Sequence, residues 1–137
     1  MSLDCSAPAK RSARAARVFT WLTAIAVLFQ WALAADLPWG ELAWGGAYPG
    51  VLPEAMRWAS LGSGLLLMGM VWVVRVRAGL TPSRHLPWMR KLIWCVVAYC
   101  ALGVLANLAT PSVWERVVWA PVVSLLLLAS LVVARGP

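Results

Sequence analysis

Four stretches of the sequence, Val18 to Ala35, Trp58 to Val74, Leu92 to Leu108 and Val117 to Ala134, contain no Asp, Glu, Lys or Arg. Each approaches the roughly 20 apolar residues that a helix needs to cross a hydrocarbon layer of about 30 Å. Within that layer a helix satisfies its own backbone polar groups, which an isolated strand cannot do. Little chain is left over. Of 137 residues, 62% are apolar and 12% charged, against about 25% charged in soluble domains, so no soluble catalytic module is expected beside the spans. The expected fold is all-α, a four-transmembrane-helix antiparallel bundle forming a single integral membrane domain over residues 1–137. It has a basic tail at 1–16 and spans near 18–35, 54–77, 89–109 and 113–134.

The segment Pro38 to Glu54 breaks this pattern. It holds two of the ten Trp, four of the ten Gly and three of the nine Pro, in a chain where each Gly inside a helix costs ~1 kcal/mol and each Pro ~3. An ordered loop between the first two spans is the expectation, with a helix resuming at Pro53-Glu54. Proline has no N–H to leave unpaired in a first turn, and the acid meets the positive end of the helix dipole.

The polar, basic first residues look like the front of a signal peptide. The apolar run that follows is longer than an h-region of about 7 to 15 residues, and Ala34-Ala35-Asp36 is a poor cleavage site, so a retained helix is expected. No apolar run precedes Cys5, which argues against lipidation there.

Charge placement orients the spans. If they alternate, ten of the twelve Lys and Arg fall on one side, and only Arg57 and Arg116 join Asp36, Glu41, Glu54 and Glu115 on the other. The positive-inside rule then puts both termini in the cytoplasm and the Pro38–Glu54 loop outside. The isoelectric point near 10.4 would suggest nucleic acid in a soluble protein. Here the charge flanks membrane spans, where topology and anionic lipid headgroups account for it. Membrane lipids are the expected partners and nucleic acid is not. The Arg-over-Lys bias and the Ala/Val/Leu-rich composition look like a high-GC bacterial genome, and a bacterial inner membrane is the expected location.

No titratable residue sits mid-span, where a proton-coupled transporter carries one near its substrate site. The lone histidine, His85, falls on a basic loop, and Cys95 and Cys100 lie five apart on one helix, so no disulfide, zinc site or bis-histidine haem site suggests itself. No metal, cofactor or catalytic residue is assigned. Cys95, Tyr99, Gly103 and Asn107 form an i, i+4 stripe whose simplest reading is helix packing. Ser60 with Gly64, and Ala59 with Ser63, have the small-residue spacing that lets helices approach closely, within the bundle or between protomers.

Several polar residues gather at the loop end of the spans: Gln30, Asp36, Arg57, Asn107, Glu115 and Arg116, beside Glu41 in the loop. Interfacial helix closure explains them structurally; a convergent site explains them functionally. Ser112 and Glu115 have the spacing of a capping box, in which each side chain satisfies a backbone donor. Arg57, about one turn into its helix, is expected to pair with Asp36, Glu41 or Glu115, with Asn107 nearby, because an unpaired charge there costs several kcal/mol. Pro121 is expected to kink the last helix.

At Trp39-Gly-Glu-x-Ala-Trp-Gly-Gly46, Leu52-Pro53, Arg57 and Asn107-Leu-x-x-x-Ser-x-x-Glu-Arg116, the chain resembles a loosely defined group of small four-helix bacterial integral membrane proteins. That resemblance implies a shared architecture, carries no activity, and marks Trp39, Glu41, Trp44, Gly45, Gly46, Arg57, Asn107, Glu115 and Arg116 as the matching positions. Physically, the glycines permit left-handed turns, and Trp39 and Trp44 are expected to lie flat at headgroup level and seat the loop as a lid. A lid over a polar cluster suits a lipid-like or small apolar ligand. The competing readings are a structural or accessory subunit that docks a membrane protein or a second copy, and an intramembrane enzyme using Asp36 or Glu41 as acid or base.

Overall fold

A computed structural model describes residues 6–82 and 87–136. The readings made on Cys5 and His85 lie outside these residues. Four helices account for most of the rest: α1, Ser6–Ala34; α2, Glu54–Arg77; α3, Met89–Ala109; and α4, Val113–Arg135. All four are long and apolar enough to cross a membrane, and no strand occurs among the described residues. The protein is an all-α, multi-pass membrane protein.

Helix α1 begins earlier than the span pattern suggests. Its 29 residues make a rod of about 44 Å at 1.5 Å per residue, longer than a hydrocarbon core. Pro8 falls in its first turn, where proline is tolerated, and the Ala, Arg and Lys that follow are good helix formers. The basic tail is thus helical from Ser6 onward. Ser12 and Ala16 are buried, and Ser12 Oγ lies where a Cβ on Gly136 would come within 3.1 Å of it, so the tail helix rests against the end of α4.

The helices run up and down in a ring in which α1 packs on α2 and α4, α4 on α3, and α3 on α2. The α2–α3 seam is the least closely packed of these. One end of the ring carries the start of α1 and the end of α4, where the Arg77 guanidinium donates to the Gly136 carbonyl at 2.7 Å. The other carries the Pro38–Glu54 loop.

Two apolar cores stack along the bundle axis. The larger, around Phe19, Val74, Ile93, Cys100, Leu126 and Val133, fills the terminal half. A smaller one of Leu33, Ala43 and Leu52, flanked by Phe29 and Met56, joins the loop to α1 and α2. Gly64 is buried because an added Cβ would collide with the Trp31 indole of α1. The small-residue face of α2 is therefore filled from within the same chain.

The helix ends follow their sequences. After α2, Gly79 takes φ +70° and the Leu80 N–H donates to the Arg75 carbonyl at 2.9 Å, a Schellman closure with glycine in the left-handed position. After α1 the same closure recurs, with Leu37 N–H donating to the Ala32 carbonyl at 3.1 Å, but Asp36 holds the left-handed position at φ +68°. That substitution costs about 1 kcal/mol in backbone strain. α4 continues through Pro121 as one helix from Val113 to Arg135.

Candidate functional site: a lidded cavity

The loop is built from its glycines. The Gly40 N–H donates to the Gly50 carbonyl at 2.9 Å, pinching the loop at its base, and any side chain at buried Gly40 would collide with the Tyr48 carbonyl. Single 3-10 turns at Gly40–Leu42 and Trp44–Gly46 make up the crown. Trp44, Gly45 and Gly46 all have positive φ, at 56°, 73° and 70°, three left-handed residues in succession. Glycine adopts that conformation freely and tryptophan does not, so at Trp44 the fold holds an unfavourable backbone in place.

What holds it is a set of contacts to the bundle. The Gly45 N–H donates to Glu115 Oε2 at 2.8 Å, and Thr110 Oγ1 donates to the same oxygen at 2.7 Å. Ser112 Oγ accepts from the Glu115 N–H at 3.2 Å, capping α4, and donates to the Glu41 carbonyl at 2.8 Å. The Trp119 indole N–H donates to the Leu42 carbonyl at 2.9 Å, and the Trp44 indole N–H to Ser60 Oγ at 3.3 Å. The start of α4 and the middle of the loop thus form one hydrogen-bonded joint.

This joint corrects the capping-box expectation by half. Ser112 caps Glu115 as the spacing requires, but the Glu115 carboxylate does not return to the Ser112 N–H, which instead donates to Thr110 Oγ1 at 3.4 Å. A lid amide 70 positions away in sequence takes that carboxylate. The tryptophans brace the loop. Trp39 stacks on Phe29, with centroids 6.2 Å apart and planes 5° from parallel, and Phe29 in turn meets Trp119 at 4.7 Å. Trp44 turns its N–H inward to Ser60 and lines a cavity.

The cavity occupies about 480 Å³ beneath the loop. Leu42, Ala43, Trp44 and Glu115 close its lid end, and Met70, Cys100 and Leu126 from the larger core form its floor. Along α4 its lining runs from Glu115 to Leu126, a depth of about 16 Å, or half a bilayer. Tyr99, Leu102 and Ala106 line it and are exposed, which gives it a mouth on the flank of α3. Most of the wall is apolar; Gln30, Asn107 and Glu115 bring polar atoms to the upper part. Asn107 Nδ2 donates to the Gly103 carbonyl at 2.9 Å, whereas Asn107 Oδ1 and Gln30 Oε1 are buried without a hydrogen-bond partner.

The nine residues singled out from the sequence do not converge on one point. Trp44, Asn107 and Glu115 line the cavity; Gly45 and Gly46 shape the joint; Trp39 braces the lid from outside through Phe29. The Glu41 side chain is exposed, and its carbonyl rather than its carboxylate makes the contact to Ser112. Arg116 is exposed and donates to the Thr110 carbonyl at 2.6 Å, steadying the turn before α4.

Arg57 belongs elsewhere. Its Nη1 lies 2.8 Å from Asp36 Oδ1 and its Nε donates to the Ala34 carbonyl at 3.2 Å, in a shallow groove between α1 and α2 walled by Trp31, Trp58 and Leu61. The groove and the cavity share no lining residue. Glu41 and Glu115 are not its partners. With the two side chains 35% and 55% exposed, the pair is a surface contact worth at most about 1 kcal/mol, not the desolvated charge network that the sequence suggested.

Sequence reasoning also passed over Thr110, Phe29 and Trp119, which complete the joint and brace the lid. The signal for Thr110 was present, since a hydroxyl just before Pro111-Ser112 stands where an acid in the first turn can reach it. Tyr99 and Gly103, read only as packing, turn out to line the cavity, while Cys95 of the same stripe is exposed. No protein-family model, curated protein or solved structure matches the chain.

Proposed function

We propose that this protein holds a lipid-like or small apolar molecule in the cavity beneath the Pro38–Glu54 lid. It would do so in a bacterial cytoplasmic membrane, with both termini cytoplasmic and the lid facing outward. The cavity carries the reading: about 480 Å³ falls within the roughly 300 to 1,000 Å³ typical of small-molecule sites, which are likewise apolar with a few placed polar groups. A mouth beside α3 would admit a ligand sideways from the bilayer. The charge segregation supports the orientation, because the helix ends away from the lid carry nearly all the Lys and Arg.

The accessory-subunit alternative loses one of its two supports, since Trp31 and Trp44 of the same chain cover the Ser60 and Gly64 face. An enzyme working through Asp36 or Glu41 finds neither acid in the cavity wall. Native mass spectrometry of the full chain released from lipid nanodiscs tests the binding reading. The parent should retain a bound molecule, and Ala26→Phe, which fills the cavity from α1, should lose it while remaining folded. Equal retention by both would sink the proposal.

A further inference from the structure

The cavity's polar groups constrain the chemistry of its occupant. Building on the ligand-binding reading above, we infer that the occupant is a cationic amphiphile: a protonated amine with N–H donors on an apolar body.

Three observations carry this. Asn107 Oδ1 is a buried acceptor without a partner, and its assignment is fixed because the other amide atom, Nδ2, donates to the Gly103 carbonyl at 2.9 Å; exchanging the two would set oxygen against oxygen. Glu115 is the one carboxylic acid in the cavity wall. Its Oε2 accepts from Gly45 and Thr110, both neutral donors, and the one ion pair among the described residues joins Arg57 to Asp36 instead. Aromatic faces are at hand too, since Phe29, Trp44, Tyr99 and Trp119 all line the space, and such faces attract cations within about 6 Å.

Each feature selects on its own. An acceptor buried without a partner is unfavourable, and a donor that reaches Asn107 Oδ1 as the wall yields around the occupant would relieve that cost. A carboxylate balanced only by neutral donors favours a cation and repels an anion, the more so where lipid and protein exclude water. Gln30 supplies a second amide beside the same space and Ser63 a hydroxyl whose lone pairs can accept. A fatty acid or a phosphate-headed lipid would place its negative charge against Glu115.

Three single-chain probes of equal length separate the outcomes: dodecylammonium, dodecanol and dodecanoate, competed in equimolar mixture on the full chain in zwitterionic nanodiscs, with occupancy read by native mass spectrometry. Dodecylammonium should occupy the protein at least about tenfold more than dodecanoate, the discrimination expected of one charge-assisted contact. Glu115→Gln, which keeps an acceptor for Gly45, should abolish most of that preference, with dodecanol as the uncharged reference against which any general loss of binding through a loosened lid is read. Asn107→Leu should weaken both ammonium and alcohol, giving a second handle if the Glu115 variant misfolds. Equal binding of ammonium and carboxylate, or a preference for carboxylate, would overturn the inference while leaving a ligand-binding cavity intact. Binding of none of the three would overturn both readings.

Discussion

Removing the Glu115 carboxylate should unlatch the lid. Its Oε2 accepts hydrogen bonds from the Gly45 amide at 2.8 Å and the Thr110 hydroxyl at 2.7 Å, both short enough to be charge-assisted. Bonds to a charged group contribute about 1.5 to 3 kcal/mol each. Glu115 is only half-buried, and water can reach part of the joint once it loosens, so a total at or just below twice the lower figure is appropriate: Glu115→Ala should cost about 2 to 3 kcal/mol. Glu41→Ala is the matched control. That side chain is exposed and its carbonyl, which the substitution keeps, makes the contact to Ser112, so its effect should stay within about 0.5 kcal/mol. The loss at Glu115 should also be local. Opening of the lid leaves the four helices in place, so the Gly45 amide should lose protection from hydrogen exchange by about 10- to 100-fold, since each 1.4 kcal/mol is a factor of about ten. SDS titration in mild detergent reads the stability and amide exchange resolved to the 40–50 segment reads the latch. If Glu115→Ala and Glu41→Ala unfold alike and Gly45 exchanges at the parent rate in both, the joint is not what holds the lid.

Gly46→Ala should destabilise by about 1 to 3 kcal/mol, because φ +70° is strained for any side chain and the new Cβ would press to 3.0 Å from that of Ser112; a neutral result in the same titration would count against the observed turn. Gly64→Ala should be at least as harmful through its collision with Trp31, and pairing it with Trp31→Leu should recover part of the loss in a double-mutant cycle. Arg57→Ala should lower stability by no more than about 1 kcal/mol, coupling to Asp36 but adding independently to Glu41 and Glu115; coupling to either of the latter would mean that the groove and the cavity communicate. A cysteine placed at exposed Ala47, in a chain without its native cysteines, should label from outside the cell, and labelling only from the cytoplasm would reverse the proposed orientation.

The architecture was legible because hydrocarbon imposes a strong constraint that is local in sequence: an uncharged run near 20 residues long has few folds open to it. Local chemistry was legible too, including the helix start at Pro53-Glu54 and the Ser112 cap. What stayed hidden was pairing at long range. Spacing showed that Ser112 and Glu115 could serve each other, but not that the Glu115 carboxylate would reach a loop amide, because two left-handed glycines turn that amide toward α4. For the same reason Arg57, Glu41 and Glu115, all at one end of their helices, looked like one cluster. Height along the bundle can be read from position in a span. The direction a side chain takes around each helix depends on the packing of all four, and that rotation sends Arg57 to the α1–α2 groove and Glu115 to the interior. The helix that runs through the basic tail stayed unseen for a different reason: the charges there mark it as lying outside the hydrocarbon, and they say nothing for or against its being helical.

The claim on which the rest depends is that the Pro38–Glu54 loop closes the cavity and that Glu115 keeps it closed. Ser63 lines that cavity from α2 and is only partly exposed, so Ser63→Cys, in a chain whose native cysteines are replaced by serine, makes a thiol reporter beneath the lid. Its rate of modification by a membrane-impermeant, water-soluble thiol reagent in nanodiscs measures closure directly. Labelling should be slow when Glu115 is present and at least about tenfold faster when Glu115→Ala is added, in step with the loss of the latch; fast labelling in both, or an unchanged slow rate, would contradict a lid held by Glu115.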